Sequence, residues 1–183
     1  MSRAAKKLIA LMLLDVQKLM AALESGATTV ADWQNQFSQY LAKYHTAEFL
    51  VGQRSVTLGR GAKTWLSKTV EAQITFLHNF AAEIQNADRY QAGWNARAAM
   101  YAQGIGQSYW KGATKMLPLP AMPRDGTSQC LTNCTCSWSI TELDGDGNYD
   151  CTWVLGSTER HCQTCPQRST DWAPLKIRNG RVV

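Results

Sequence analysis

All six cysteines of this 183-residue chain fall between Cys130 and Cys165. They stand as Cys130, Cys134 and Cys136, then Cys151, then Cys162 and Cys165, and the 129 residues before them contain none. Thiols that hold a metal crowd together at short spacings, whereas thiols that only fill a core scatter. The clustering therefore splits the chain into a long cysteine-free part and a short cysteine-rich part. The second is too small to hold itself together by apolar burial and calls for a staple.

Zinc takes four ligands at the corners of a tetrahedron, and knuckles of the C-x2-C kind supply adjacent corners. Cys162-Gln163-Thr164-Cys165 has that spacing. The partner pair must come from Cys130, Cys134 and Cys136, whose spacings are C-x3-C and C-x-C. The preferred set is Cys130, Cys134, Cys162 and Cys165, with Cys136 next and His161 able to replace one thiol. The expectation is one structural zinc per chain, with disulfides and unliganded thiols as the competing readings. Cys151 falls in a predicted strand and is expected to point inward and remain free.

Ahead of this segment the apolar pattern is helical. Leu8, Met12, Val16, Leu19 and Leu23 recur at spacings of three and four, which predicts an amphipathic helix over 3–24 ending at Ser25-Gly26. Thr29, with Asp32 three residues on, sits at a capping-box position for a second helix. Its stripe is Val30, Trp33, Phe37, Tyr40, Leu41 and Tyr44. A third helix is predicted over 62–86 through Leu66, Val70, Ile74, Leu77, Phe80 and Ile84. A fourth, capped by Asp88, runs through Trp94, Tyr101, Ile105 and Tyr109, with Ala98, Ala102, Gly104 and Gly106 offering a small-residue surface for close helix approach. His45 and His78 are expected on helix surfaces or partly buried.

Leu117-Pro118-Leu119-Pro120-Ala121-Met122-Pro123 then changes the texture, because prolines at alternate positions forbid helix. Beyond it, 137–143 and 152–155 read as strands around the turn Asp144–Asn148, and 176–183 as a further strand pair around Asn179-Gly180. The turn begins like a calcium loop but carries Tyr149 where that loop needs glycine and Leu155 where it needs a bidentate glutamate. The predicted fold class is a mainly α N-terminal body of about four helices (1–116), a Pro-rich linker (117–129) and a small zinc-bound β-rich lobe (130–183).

The net charge of +5 is unevenly distributed. Residues 1–120 hold 13 Lys/Arg against 7 Asp/Glu, a balance of +6, and residues 121–183 hold 6 against 7, a balance of −1. A basic body suits an acidic partner such as nucleic acid, or a capsid or portal surface. The apolar run from Leu8 to Leu14 follows Arg3, Lys6 and Lys7, but Asp15 and Lys18 cut it short, which argues against a signal peptide or a membrane span. The expectation is synthesis in a reducing cytoplasm, where clustered thiols favour metal. With three histidines and no nucleophile or paired-carboxylate motif, no catalytic residue and no enzyme activity is predicted.

Two segments carry a family resemblance. Pro120, Pro123-Arg124-Asp125-Gly126, Cys130, Asn133-Cys134-Thr135-Cys136 and Trp138, followed by Trp153, Leu155-Gly156, Glu159 and His161-Cys162 with Cys165, resemble tailed-phage and prophage minor head proteins of the MuF-like head-morphogenesis kind. In those proteins a C-x-x-C knuckle and an H-x-N-C-x-C-like element bind zinc together. Asn133-Cys134-Thr135-Cys136 looks like the second element, with Cys130 near the place of its histidine, although the order of the two elements is reversed here. The resemblance covers about residues 94–175. It implies a non-enzymatic virion component made in the bacterial cytoplasm, docking to portal or capsid protein, present as a homo-oligomer or part of a larger assembly, and close to packaged DNA. The alternative is a zinc-ribbon nucleic-acid-binding module reading DNA through lobe arginines such as Arg160 and Arg168.

Overall fold

The hydroxyl of Ser2 accepts a hydrogen bond from the Ala5 amide and opens the first helix, α1 (Arg3–Glu24), satisfying one of the donors that a helix start leaves bare. This is the first element of a computed structural model that describes residues 1–157 and 161–183; Glu159 of the resemblance and Arg160 of the nucleic-acid reading lie outside the described residues. The buried line of α1 is Ala5, Ile9, Met12, Val16 and Met20, while Leu8, Leu19 and Leu23 flank it half-buried. The helix is therefore turned slightly from the stripe that the leucines alone suggest.

Thr29 caps α2 (Val30–Gln53) as predicted: its Oγ1 accepts from the Asp32 amide at 3.1 Å and donates to the Asp32 carboxylate at 2.7 Å. Trp33, Phe37 and Leu41 enter the main core, where Trp33 meets Phe37 and Phe80 edge to face. Phe80 comes from α3 (Arg60–Gln85), which buries Leu66, Leu77, Phe80, Ala81 and Ile84.

The predicted fourth helix is two. α4 (Gly93–Gly104) starts after Ala92, not at Asp88, and α5 (Gly106–Ala113) follows a break at Ile105. Just beyond the break Gly106 is packed closely: a Cβ there would meet the Arg124 Cδ at 2.6 Å. Glycine leaves the gap in which the Arg124 side chain lies. The closest helix approach is also elsewhere than expected. A Cβ on Gly52 of α2 would strike the Tyr109 carbonyl oxygen, and one on Gly112 of α5 would strike the Phe49 carbonyl oxygen.

The proline-rich stretch is extended, but it is packed and not a free tether: Leu117, Leu119, Ala121 and Met122 are buried in the second core with Trp110 of α5. Trp138 donates its indole N–H to the Ala121 carbonyl at 3.1 Å. That core belongs to a four-stranded antiparallel sheet in sequential order, β1 (Ser137–Glu142), β2 (Tyr149–Val154), β3 (Leu175–Arg178) and β4 (Arg181–Val182). Trp138 faces Trp153 across β1 and β2, and Cys151 faces Ile140 and Leu175. The Asp144–Asn148 segment is the hairpin turn, with Asp144 accepting from the Asp146 amide and the Asn148 side chain. Between β2 and β3 lies a helix that the sequence reading omits, α6 (Thr164–Asp171). The architecture is thus a mainly helical body with a small antiparallel β lobe. Among the described residues no helix is long and apolar enough to cross a membrane.

Candidate metal centre

Two local structures bring the thiols together. After Cys130 the chain makes a tight 3-10 turn, Leu131–Asn133, in which the Asn133 amide bonds the Cys130 carbonyl at 2.9 Å. Cys134 follows in extended conformation and leads into β1. On the other side, Cys162 precedes the first turn of α6 and Cys165 lies inside it, with the Cys165 amide bonded to the Cys162 carbonyl at 3.3 Å. Pro166 fits there because the first turn of a helix has no use for its missing donor.

The sulfurs of Cys130, Cys134 and Cys165 all lie within 4.8 Å of one another. Cys165 is 3.7 Å from Cys130, 3.9 Å from Cys134 and 3.5 Å from Cys162, and Cys162 is 3.6 Å from Cys130. Four ligands at a metal–sulfur distance of about 2.3 Å in a tetrahedron place their sulfurs roughly 3.8 Å apart. Four of the six separations bracket that value and exceed the S–S bond length of about 2.05 Å, while Cys162 approaches Cys130 and Cys165 but lies outside the group of three whose sulfurs are all mutually within 4.8 Å. Every cysteine is a free thiol.

The two knuckles are also laced to each other. The Gln163 amide donates to the Gln129 side chain at 2.9 Å, and the Gln129 amide to Thr164 Oγ1 at 3.4 Å. From α6, Arg168 Nη2 reaches the carbonyl and hydroxyl of Thr127 at 3.1 and 2.9 Å, while its guanidinium lies over Trp153 and Trp172. These contacts tie the segment ahead of Cys130 to the segment around Cys162 and Cys165.

The thiols perturb one another. Burial, followed by the neighbouring Cys162 thiol, pushes the Cys165 thiol far up, and burial does the same more mildly to Cys130. At Cys162 burial opposes ionisation, but hydrogen bonding to Cys165 and Cys130 outweighs it and lowers the thiol to about 7. Thiolates crowded this closely repel one another, and a bound metal ion reverses the balance by stabilising all of them. The cluster is close enough to hold a metal ion.

The other predicted residues divide. Cys136 is buried beside the cluster and interacts with Cys165, but forms none of the short sulfur–sulfur contacts above. His161 is half-buried next to Cys162 and has interactions of its own. Cys151 is fully buried in the sheet, as expected, and burial raises its thiol. His78 is exposed, whereas His45 is fully buried, contrary to the surface or partly buried place expected of it.

His45 belongs to a polar group that the sequence reading missed. Its Nδ1 is 2.7 Å from Ser108 Oγ on α5, and among the described residues neither its Nε2 nor either carboxylate oxygen of Glu48, one turn on, has a hydrogen-bond partner. Burial lowers His45 to about 4 and raises Glu48 to about 8, the latter against the pull of Arg124 and the N-terminal ammonium. Both side chains are thus neutral near pH 7. The signal was available: Leu41, His45, Glu48 and Gly52 follow helical spacing on the inward face of α2.

Arg124 is the second missed residue. Its Nη1 donates to the Gln103 side chain at 2.6 Å and to the Thr132 carbonyl at 3.3 Å, joining the end of α4 to the turn between Cys130 and Cys134. Comparison with family models, with curated proteins and with solved structures finds no match, so the role of this centre rests on its own geometry.

Proposed function

We propose that the chain is a non-enzymatic structural protein whose lobe is stapled by one zinc ion on Cys130, Cys134, Cys162 and Cys165. The observation that carries this reading is the set of three sulfur–sulfur contacts of 3.6–3.9 Å linking two knuckles about 30 residues apart, with Cys162 and Cys165 3.5 Å apart within the second. Four soft thiolates in a tetrahedron suit zinc, and a site closed by four protein ligands has no position for a catalytic water. When bound, the ion supplies folding energy to the lobe. The protein's part is to hold the thiols through the Gln129–Gln163, Gln129–Thr164 and Arg168–Thr127 hydrogen bonds.

The setting we propose is the one that the resemblance implies: a virion component of the head-morphogenesis kind, docked to portal or capsid protein as part of a larger assembly. The basic helical body, with a balance of +6 over residues 1–120, supports a place beside an acidic surface or packaged DNA. Native mass spectrometry tests the staple, with an excess of one zinc per chain expected and its loss on unfolding. A metal-free chain lighter by two hydrogens per disulfide overturns it. Co-expression with portal and major capsid proteins tests the setting: co-sedimentation with rings or shells is expected, and a chain that stays behind as a monomer counts against it.

A further inference from the structure

Between α3, α4 and the turn that follows Cys130 lies an open groove of about 470 Å³. Three of its lining residues are large apolar side chains left exposed, Phe76 at 59%, Met100 at 38% and Leu131 at 44%. They come from three elements far apart in sequence, so the surface exists only in the folded chain. Isolated exposed apolar residues are ordinary, but several converging on one concavity mark a contact site.

Two guanidinium groups stand among them. Arg97 and Arg124 line the groove, and Asp125 is the one acid among the lining residues. The Asp125 carboxylate is engaged by its own loop, accepting from the Met122 amide at 2.6 Å and from the amide and hydroxyl of Thr127. Arg97 lies over Phe80 and pairs with Glu83, which is outside the groove. Arg124 uses Nη1 for Gln103 and Thr132, while its Nε and Nη2 make no hydrogen bond among the described residues.

We propose that this groove is a docking surface for an acidic, apolar segment of a partner protein, its apolar side chains on Phe76, Met100 and Leu131 and its carboxylates beside Arg97 and Arg124. Guanidinium groups recognise carboxylates through paired N–H donors, and aromatic, methionine and arginine side chains together make up the usual contact chemistry of such surfaces. The inference deepens the docking function proposed above and rests on that reading. It also places the metal centre in a supporting role, because Leu131 and Thr132 lie in the turn held between Cys130 and Cys134.

The test is selection of a ribosome-displayed library of random peptides on the zinc-loaded chain, with each enriched peptide re-measured against Phe76→Glu and Met100→Glu. Both positions are exposed on helices away from the thiols, and circular dichroism and zinc content verify that the variants keep the fold. Enriched peptides should be acidic and rich in aliphatic or aromatic residues, should bind each variant at least about tenfold more weakly, and should weaken with salt. No enrichment, enrichment without acidic bias, or equal binding to the variants overturns the proposal. If both variants still co-sediment fully with portal or shell protein, the groove fails as the docking surface while the docking function stands. If the chain never co-sediments yet selects acidic peptides at this groove, the groove stands and the virion setting fails.

Discussion

Gly52 on α2 and Gly112 on α5 each lie where the backbone of the other helix passes. The missing Cβ of Gly52 would collide with the Tyr109 carbonyl, and that of Gly112 with the Phe49 carbonyl. Because the obstacle is backbone and not a flexible side chain, a methyl group can be admitted only by separating the helices. We expect Gly52→Ala or Gly112→Ala to destabilise the chain by about 3 kcal/mol, the upper end of ordinary overpacking costs. Gly61→Ala is the control. It lies in α3 with nothing near its would-be Cβ, and should be neutral or stabilising by about 0.5–1 kcal/mol. Urea unfolding of the three variants distinguishes these outcomes.

The thiol cluster predicts an unequal response to single substitutions. Serine at Cys130, Cys134, Cys162 or Cys165 should abolish stoichiometric zinc after gel filtration, since each sulfur occupies one corner of the set. Cys151→Ala should retain one zinc per chain, because that thiol is buried against Ile140 and Leu175 in the sheet. Cys136→Ala should also retain it. Chelation of the wild-type chain should loosen the environment of Trp138, Trp153 and Trp172 while leaving most helical signal, as the main core of α1–α4 contains none of these residues. Retention of the near-ultraviolet tryptophan bands after complete chelation would contradict a stapled lobe.

Glu48 and His45 make opposing contributions to the pH dependence of stability. Glu48 is raised from its ordinary value to about 8, so between about 4.5 and 8 the native state holds a proton that the unfolded chain has lost, and stability falls as pH rises. His45 is lowered from 6.5 to about 4, so between these values the unfolded chain holds the extra proton and stability rises with pH. The two effects cancel between about pH 4.5 and 6.5. From about 6.5 to 8 Glu48 lowers stability by up to about 1.4 kcal/mol per pH unit, opposed by the N-terminal ammonium, which burial lowers, and above about 7 by the lowered Cys162 thiol. Glu48→Gln should remove the declining contribution, leaving a stability that rises with pH. Chemical unfolding at half-unit pH intervals with zinc held saturating measures it, and an unchanged decline in the variant excludes Glu48 as the cause.

How much of this was legible in the sequence depended on how local the determinant is. The Thr29 cap, the extents of the first and third helices and the Asp144 turn follow from residues within a few positions of one another, and the structure has them as read. The cysteine spacing likewise pointed to a thiol cluster, and the structure brings Cys130, Cys134 and Cys165 together with Cys162 beside Cys130 and Cys165. The break at Ile105 was hidden because the apolar repeat through Trp94, Tyr101, Ile105 and Tyr109 continues across it, as do the helical backbone angles of Ile105 itself. The Asp88 start failed for a related reason, since α4 begins at Gly93 without any side-chain cap. α6 went unread because Pro166 and the polar run Gln167–Thr170 present no apolar stripe; its inward anchors are Cys165 and Arg168, which are positioned by the metal cluster and by Thr127.

Arg168 offers the most direct test of whether the metal centre and the tryptophan core are one unit. It lies one turn after Cys165 on α6, bonds the carbonyl and hydroxyl of Thr127 ahead of Cys130, and places its guanidinium 5.2 and 5.3 Å from the rings of Trp153 and Trp172. Trp172 in turn stacks on Trp138 at 5.5 Å. A planar cation that stacks on two rings while its Nη2 donates both hydrogen bonds to Thr127 is not replaced by an ammonium group. Arg168→Lys should therefore fail to rescue what Arg168→Ala loses. Both should weaken zinc binding about 10- to 100-fold, the usual cost of removing a group that orients metal ligands without touching the ion. Competition with a chelator of known affinity gives the fold-change, and tryptophan fluorescence reports the rings in the same titration. A variant that perturbs the fluorescence but leaves zinc affinity unchanged would mean that Arg168 packs the tryptophans without positioning the knuckles; loss of both together is the expected result.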